Sequence, residues 1–492
     1  MAGFDGNTTS AAQTGPQAAA RTGGLAVLCV AQFVVVLDVT IVAIALPVVS
    51  SDLGFQPGQL SWVITAYTVV LAGLLILGGR AADLFGAARM FRVGLVGFSV
   101  ASLACAFAWS PAALISARIA QGAGAAALSP AALAALHELI ERPGARRRAL
   151  GWWTAAAAGG GASGWVLGGV ITEFAGWRWI FAVNAPIGLA AVLISLRVLS
   201  RVSRPRVTTG GQHSLDLLGA LSVTAGVALA ALGLSKVAED VGHWAGWLVV
   251  ALSSAALTFF VWHEARIPHP LLPASVITRP GVVGGNLTAA ALTASTTPAM
   301  LTVILYVQDT LGFSPASGSL LFPAFNLAVI GGSLLGPLGL SRIGARALLL
   351  TGFSAVVGGI ALLLTLPDRG VPIATLVIAF AAMGLGLGTA SVASTSAGTA
   401  EVPSGEQGVA AGLLNSTAQL GTALGLAVTS PLVASAAPMA GYRRGFVAAA
   451  VIGLVGALSS LTVRRRQAQE GRSGLAPATQ GSRRAGDERP SS

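Results

Sequence analysis

Fourteen apolar runs, separated by short polar breaks, make up most of this 492-residue chain. They fall at 25–49, 60–79, 90–109, 112–137, 149–172, 178–199, 214–235, 244–263, 282–307, 317–339, 345–366, 371–397, 407–433 and 444–463. A helix crosses a bilayer with ~20 apolar residues, whereas a barrel strand needs only ~10. Lipid offers the backbone no hydrogen-bond partner, so spanning segments are helices or closed barrels. Runs of this length select helices, and the expected fold class is an all-α polytopic membrane protein. Composition agrees, with 54% hydrophobic residues, 10% charged residues and a mean hydropathy of +0.77. These values exclude a soluble domain.

The net charge of +11 raises the question of nucleic acid. The basic residues sit instead in short loops and in the C-terminal tail, so the bilayer is the expected partner and nucleic acid is not. Cys29 and Cys105 both fall inside apolar runs, which argues against a disulfide. No GxxxxGK[ST] loop occurs, so ATP is not the implied energy source. Residues 1–21 lack the basic start and cleavage site of a secretory signal, and the first span should be retained.

An even number of spans puts both termini on one side. Of the 29 Arg and Lys residues, 23 fall on the side of the termini, five on the other, and Arg118 inside a span. That bias places both termini in the cytoplasm of a multi-pass inner, or plasma, membrane protein.

The chain also repeats itself. AGWRWIF at 175–181 pairs with AGYRRGF at 440–446, an offset of 265. Glu141-Arg-Pro143 pairs with Glu401-Val-Pro403 at 260, and Gln121-Gly122 with Met383-Gly384 at 262. Similar offsets imply two six-helix halves, 25–200 and 282–463, with two extra spans in a linker, 201–281. Residues 1–24 and the basic tail 464–492 are polar and expected to be disordered in the cytoplasm. Duplicated halves around a midplane site are the architecture of secondary transporters.

Asp38 is the only charge in LAVLCVAQFVVVLDVTIVAIALPVV, residues 25–49. A carboxylate at that depth costs roughly 2.5–3.5 kcal/mol on insertion scales, and such acids usually serve protons, ions or substrates. Arg118 is the only basic residue well inside a span, away from its ends. The two lie ~15 and ~9 Å below the same membrane surface, close enough to touch. A cation beside a carboxylate and burial around it pull its proton affinity in opposite directions. Asp38 and Arg118 are therefore the expected proton-coupling pair. Other polar groups within the spans are candidates for a substrate cavity: Gln32, Tyr67, Gln121, Asn286, Asn326, Asn415 and Gln419. Some should instead join helices to each other. No acid lies in the core of the last six spans, which favours neutral or singly charged amphipathic substrates. Asp216 reads as a helix end.

Four motifs carry a family resemblance: LDVTIVAIALP at 37–47, GRAADLFGAAR at 79–89, RIAQGAGAA at 118–126 and WRWIFAVNAPIG at 177–188. Together they resemble the major facilitator superfamily, in its drug:proton antiporter branch with 14 spanning helices. The resemblance implies a major facilitator fold that works by alternating access. It implies a monomer, no catalytic residue, no metal and no cofactor beyond the proton gradient, with a small hydrophobic substrate. Gly79, Arg80, Asp83, Gly86 and Arg89 match the gating motif, although Ala87 and Ala88 replace its usual basic residues. The glycines Gly160, Gly164, Gly168 and Gly169 match the antiporter motif, with Trp165 where the branch has Pro. Pseudo-symmetric loops carry Arg146, Arg147 and Arg148 on one side and Glu401 and Glu406 on the other, a possible cytoplasmic latch. The main expectation is proton-driven export of drug-like molecules. A facilitator or importer of the same fold, and a non-transporting sensor or scaffold, remain alternatives.

Overall fold

The computed structural model describes residues 16–56, 59–140, 143–199, 216–267, 277–368, 370–402, 407–435 and 437–463. The polar tail at 464–492, residues 1–15, residues 201–215 and 268–276 of the linker, and Glu406 lie outside the described residues. The helices are α1 (Pro16–Leu53), α2 (Trp62–Phe85), α3 (Ala87–Ala106), α4 (Pro111–Leu139), α5 (Pro143–Phe174), α6 (Arg178–Ala182) and α7 (Asn184–Val198). After the linker come α8 (Leu217–Glu239) and α9 (Trp244–Glu264). The second half has α10 (Pro280–Leu305), α11 (Pro315–Ser319), α12 (Phe322–Leu363), α13 (Ile373–Ala400), α14 (Gln407–Ala434) and α15 (Pro438–Ser459). No strand occurs among the described residues.

Among the described residues, twelve helical stretches are long and apolar enough to cross a membrane. The expected fourteen are recovered from two features. At Gly344 (φ 79°) the chain turns inside α12, which is two successive spans. And α5, 32 residues long and rich in Gly and Ala, is the other span, though less apolar than the twelve. One boundary is corrected: α1 begins at Pro16, so residues 16–24, expected to be disordered, continue the first helix. Asp216 does cap a helix, accepting from the Gly219 amide at 2.8 Å.

One end of the bundle carries Arg80, Arg89, Arg92, Arg146, Arg148, Arg197, Arg279, Arg342 and Arg346, and is called the basic end. Within the first half, α1 packs on α5, and α4 on both α2 and α3. Within the second, α10 packs on α14, and α13 on α12. The inserted α8 touches α2 of one half and α14 of the other, so it lies along the seam between them.

Glycines set these contacts, and they do so twice. A Cβ on Gly160 would overlap the Phe33 carbonyl of α1, and one on Gly421 the Ala290 carbonyl of α10. Gly164 and Gly425 repeat the contact one turn on, both pairs separated by 261 residues. Gly122 meets the Tyr67 carbonyl of α2, and Gly384, 262 residues later, that of Phe325 in α12. Small residues at four-residue spacing let helix backbones approach in lipid. The repeat seen in the sequence is thus a repeat of packing.

Candidate functional site

Asp38 is wholly buried in the first half, in a nest of donors from α4 and α7. Arg118 of α4 gives Nη1 to Asp38 Oδ2 at 2.5 Å. Gln121, one turn further on α4, donates to Asp38 Oδ1 at 2.8 Å. Asn184, the first residue of α7, donates to the same oxygen at 3.1 Å and to Ser102 Oγ of α3 at 3.0 Å. Ser102 in turn donates to the Phe181 carbonyl at 2.9 Å. Arg118 also gives Nη1 to Gln121 Oε1 at 2.6 Å and Nε to the Val63 carbonyl at 2.9 Å. Its guanidinium lies 4.2 Å from the Tyr67 ring centre, a cation–π distance. Asp38, Arg118, Gln121 and Tyr67 have no solvent exposure, and Asn184 has 1%.

The expected pair is therefore in contact, but neither residue lines the central cavity. Tyr67 and Gln121, expected to line that cavity, face the ion pair instead. Gln121 finds its partners there in Asp38 and Arg118, and the Tyr67 ring meets the Arg118 guanidinium. Three polar atoms around the pair have no hydrogen-bond partner: Arg118 Nη2, Asn184 Oδ1 and Tyr67 Oη. A buried ion pair that leaves donors and acceptors unmatched is poorly compensated. Asn184 was not singled out from the sequence. The signal was present, as the lone amide in the WRWIFAVNAPIG motif.

In the second half the equivalent positions hold Ala299, Phe380 and Met383, all fully buried in an apolar core. The charged nest is thus confined to one half of a duplicated fold, and a packed apolar version of it stands in the other.

A central cavity of about 270 Å³ lies between the halves. Thr40 and Ala43 of α1, Trp165 of α5, Thr297 of α10, and Phe325 and Asn326 of α12 help to line it. No charged residue is among its lining. Asn326 is the one expected cavity group found there, and it donates to the Ala162 carbonyl across the seam at 3.1 Å. Gln32 is half-buried and accepts from Ser129 at 3.4 Å. Asn286 joins helices, donating to Val282 O and accepting from Thr417. Gln419 is half-buried and Asn415 is exposed on the stretch of α14 nearer the basic end. Lipid gives such an amide no partner, so exposure there marks an aqueous opening.

Opposite the basic end the halves are clamped together. Trp165 stacks on Phe322 of α12 with ring centres 4.3 Å apart and planes 4° apart. Gly169 abuts Pro315 and Ser319. Glu173 Oε2 accepts from the Ala316 amide at 2.9 Å, and Gln308 donates to the Ile44 carbonyl at 2.9 Å. The Trp in place of Pro therefore has a structural role, as an aromatic bridge between halves. Gly168 packs on Ile41 and Ile44 of α1.

The gating motif forms the turn between α2 and α3. Gly86 adopts φ 89°, a conformation that favours glycine. Asp83 and Arg89 are exposed, Arg80 is half-buried, and Arg80 and Asp83 both have polar partners. The tight approach of α2 to α4 is made by Gly78 and not by Gly79, since a Cβ on Gly78 would overlap the Ala126 carbonyl. Arg146 and Glu401, two of the latch residues, bond to backbone groups in their own halves. Arg146 donates to the Ile140 carbonyl at 3.0 Å, Arg148 is exposed, and Glu401 Oε2 accepts from the Gly281 amide at 3.2 Å. Glu406 and the Arg147 side chain lie outside the described residues.

Comparison with known proteins places this geometry. Residues 28–426 and 289–485 match the model of the Major Facilitator Superfamily. The chain is 39% identical over 420 residues to the cephamycin export protein CmcT of Amycolatopsis lactamdurans, covering 83% of this chain and 84% of that one. It is 39% identical over 426 residues to the puromycin resistance protein pur8 of Streptomyces alboniger, covering 85% and 83%. Among solved structures it is similar to the nucleoside transporter NupG, with a TM-score of 0.62, 13% identity, and coverage of 91% of this chain and 100% of that one. A bacterial homologue of the human lysosomal transporter Spinster matches at 0.62 and 16%, covering 91% and 99%.

Proposed function

This chain belongs to the Major Facilitator Superfamily, and from that premise we propose that it exports antibiotic-like hydrophobic molecules from the cell in exchange for protons. The observation that carries the reading is the buried Asp38–Arg118 pair, held by hydrogen bonds in one half and absent from the other. The names of the relatives, an antibiotic exporter and an antibiotic resistance protein, support the substrate class.

The basic end faces the cytoplasm by the positive-inside rule, with both termini there. The central cavity, without charge, accepts an apolar molecule from that side while the Trp165–Phe322 clamp keeps the outer side shut. A proton on Asp38 removes the charge that Arg118 neutralises and weakens the 2.5 Å contact. Arg118, which has an unmatched Nη2 and bonds to Gln121 and Val63, then shifts its hold towards α2 and α4. That loosens α1 from α4, so that α1, with α5 seated on it, can move against the second half. The proton gradient is the energy source and a single chain suffices.

Dye flux in proteoliposomes tests the reading. Gradient-driven flux that stops with a protonophore, and with Asp38→Asn, is expected. Flux independent of the gradient would indicate a facilitator, and coupled flux in Asp38→Asn would remove Asp38 from the coupling step.

A further inference from the structure

A second cavity, of about 260 Å³, lies between the halves at the outer end. It is lined by Gln56 and Ser61 from the first half and by Thr302, Asp309, Ser430 and Tyr442 from the second. It differs from the central cavity in carrying a carboxylate. Asp309 sits in a five-residue π-helical segment, Tyr306–Thr310, that continues α10. Such wide turns are frequent at functional sites. Here the widened turn sends Gln308 to the Ile44 carbonyl, sealing the outer end, and puts Asp309 on the cavity. No cation lies within ion-pair distance of Asp309 among the described residues: nearby Arg443 pairs with Asp368 and Arg444 bonds Ser435. The Tyr442 ring forms part of the wall, its hydroxyl fixed by Thr310 at 3.3 Å and its ring set edge-on to Tyr306.

A carboxylate without a cation, next to an aromatic wall, in a cavity large enough for a headgroup, is a site for one positive charge. We propose that this cavity is an exit-side subsite for a single ammonium-type cation carried by an amphipathic substrate, with Asp309 as counter-ion and Tyr442 as aromatic wall. The proposal rests on the export reading for its place in the cycle, but its chemistry can be tested by binding alone. The central cavity would take the apolar body of the molecule, and this outer cavity its charge as it leaves.

The test is titration of the purified full-length protein with ethidium, a monocation, and with Nile red, which is neutral. Asp309→Asn should raise the ethidium Kd about three- to fivefold, the size expected for a partly exposed charge pair. Asp309→Glu should restore it, and Nile red should bind equally to all three proteins. An unchanged ethidium Kd in Asp309→Asn, an equal loss for both dyes, or no saturable ethidium binding to the unmodified protein would each overturn the subsite. If binding depends on Asp309 while vesicles show no gradient-driven flux, the export reading falls and the subsite stands. If flux is coupled while binding is indifferent to Asp309, the subsite falls and the export reading stands.

Discussion

Among the described residues Arg118 is the largest side chain with no solvent exposure, and its environment decides what its loss would do. Removing one partner of a buried ion pair leaves the other uncompensated, at a cost of about 3–5 kcal/mol, whereas replacing both with apolar groups is often neutral. This fold contains its own control, because Ala299, Phe380 and Met383 fill the corresponding space in the second half. Arg118→Met alone should therefore lower the thermal unfolding midpoint in detergent sharply. Arg118→Met combined with Asp38→Leu should recover most of the loss while remaining inactive in proton-coupled flux. A double variant as unstable as the single one would mean that packing around Arg118, and not charge compensation, sets its cost. At this scale the sequence was legible where charge is rare. Asp38 and Arg118 stand out in apolar runs, and they do meet. Asn184 and the inward turn of Tyr67 and Gln121 were not legible, because neutral polar groups are common in spans and their partners depend on helix rotation.

Rotation is hard to read in a membrane helix because the lipid-facing and protein-facing sides are both apolar, so the pattern that orients a soluble helix is weak. Run length gave the number of spans, and the small residues carry what orientation can be read. On α5, Gly160, Gly164 and Gly168 recur every fourth residue and all face α1, while Gly169, one residue on, faces the other half. The consequence is directional. Gly160→Ala forces a methyl against the Phe33 carbonyl, which belongs to backbone and cannot rotate away. Overpacking of that kind costs about 1–3 kcal/mol. A methyl on Gly151, on the same helix, would meet nothing within 4 Å. Gly151→Ala should be neutral or stabilise by up to about 1 kcal/mol, since Ala is the better helix former. Unfolding midpoints of the two variants should move in opposite directions. Equal shifts would mean that α5 does not seat on α1 through this glycine face. Loop partners are equally hard to read from sequence: the Glu401 carboxylate accepts from the Gly281 amide at the start of α10, and Arg279 donates to the Glu401 carbonyl.

For the molecule as a whole, the contacts between halves decide what a transport cycle must break. The clamp at the outer end combines an aromatic stack, the Glu173–Ala316 hydrogen bond, the Gln308–Ile44 hydrogen bond and the seat of Gly169 on Pro315 and Ser319. If the halves rock about the central cavity, each of these must part when that cavity opens outward. A Cβ placed on Gly169 would lie 2.6 Å from the Ser319 Cβ, closer than the ~3.5–4.5 Å that a disulfide spans, so the closed clamp must give by about 1 Å to hold a bridge. In a protein with Cys29→Ala and Cys105→Ala, the pair Gly169→Cys and Ser319→Cys should crosslink on mild oxidation. The crosslinked protein should keep its fold and still bind a neutral dye from the basic end, but lose dye flux, with flux returning on reduction. Each single cysteine variant should give the same flux with and without oxidant, whatever its level, which separates the effect of the bridge from that of the added side chain. Undiminished flux through the oxidised pair would mean that the outer clamp stays closed throughout the cycle, and that substrate leaves by another route.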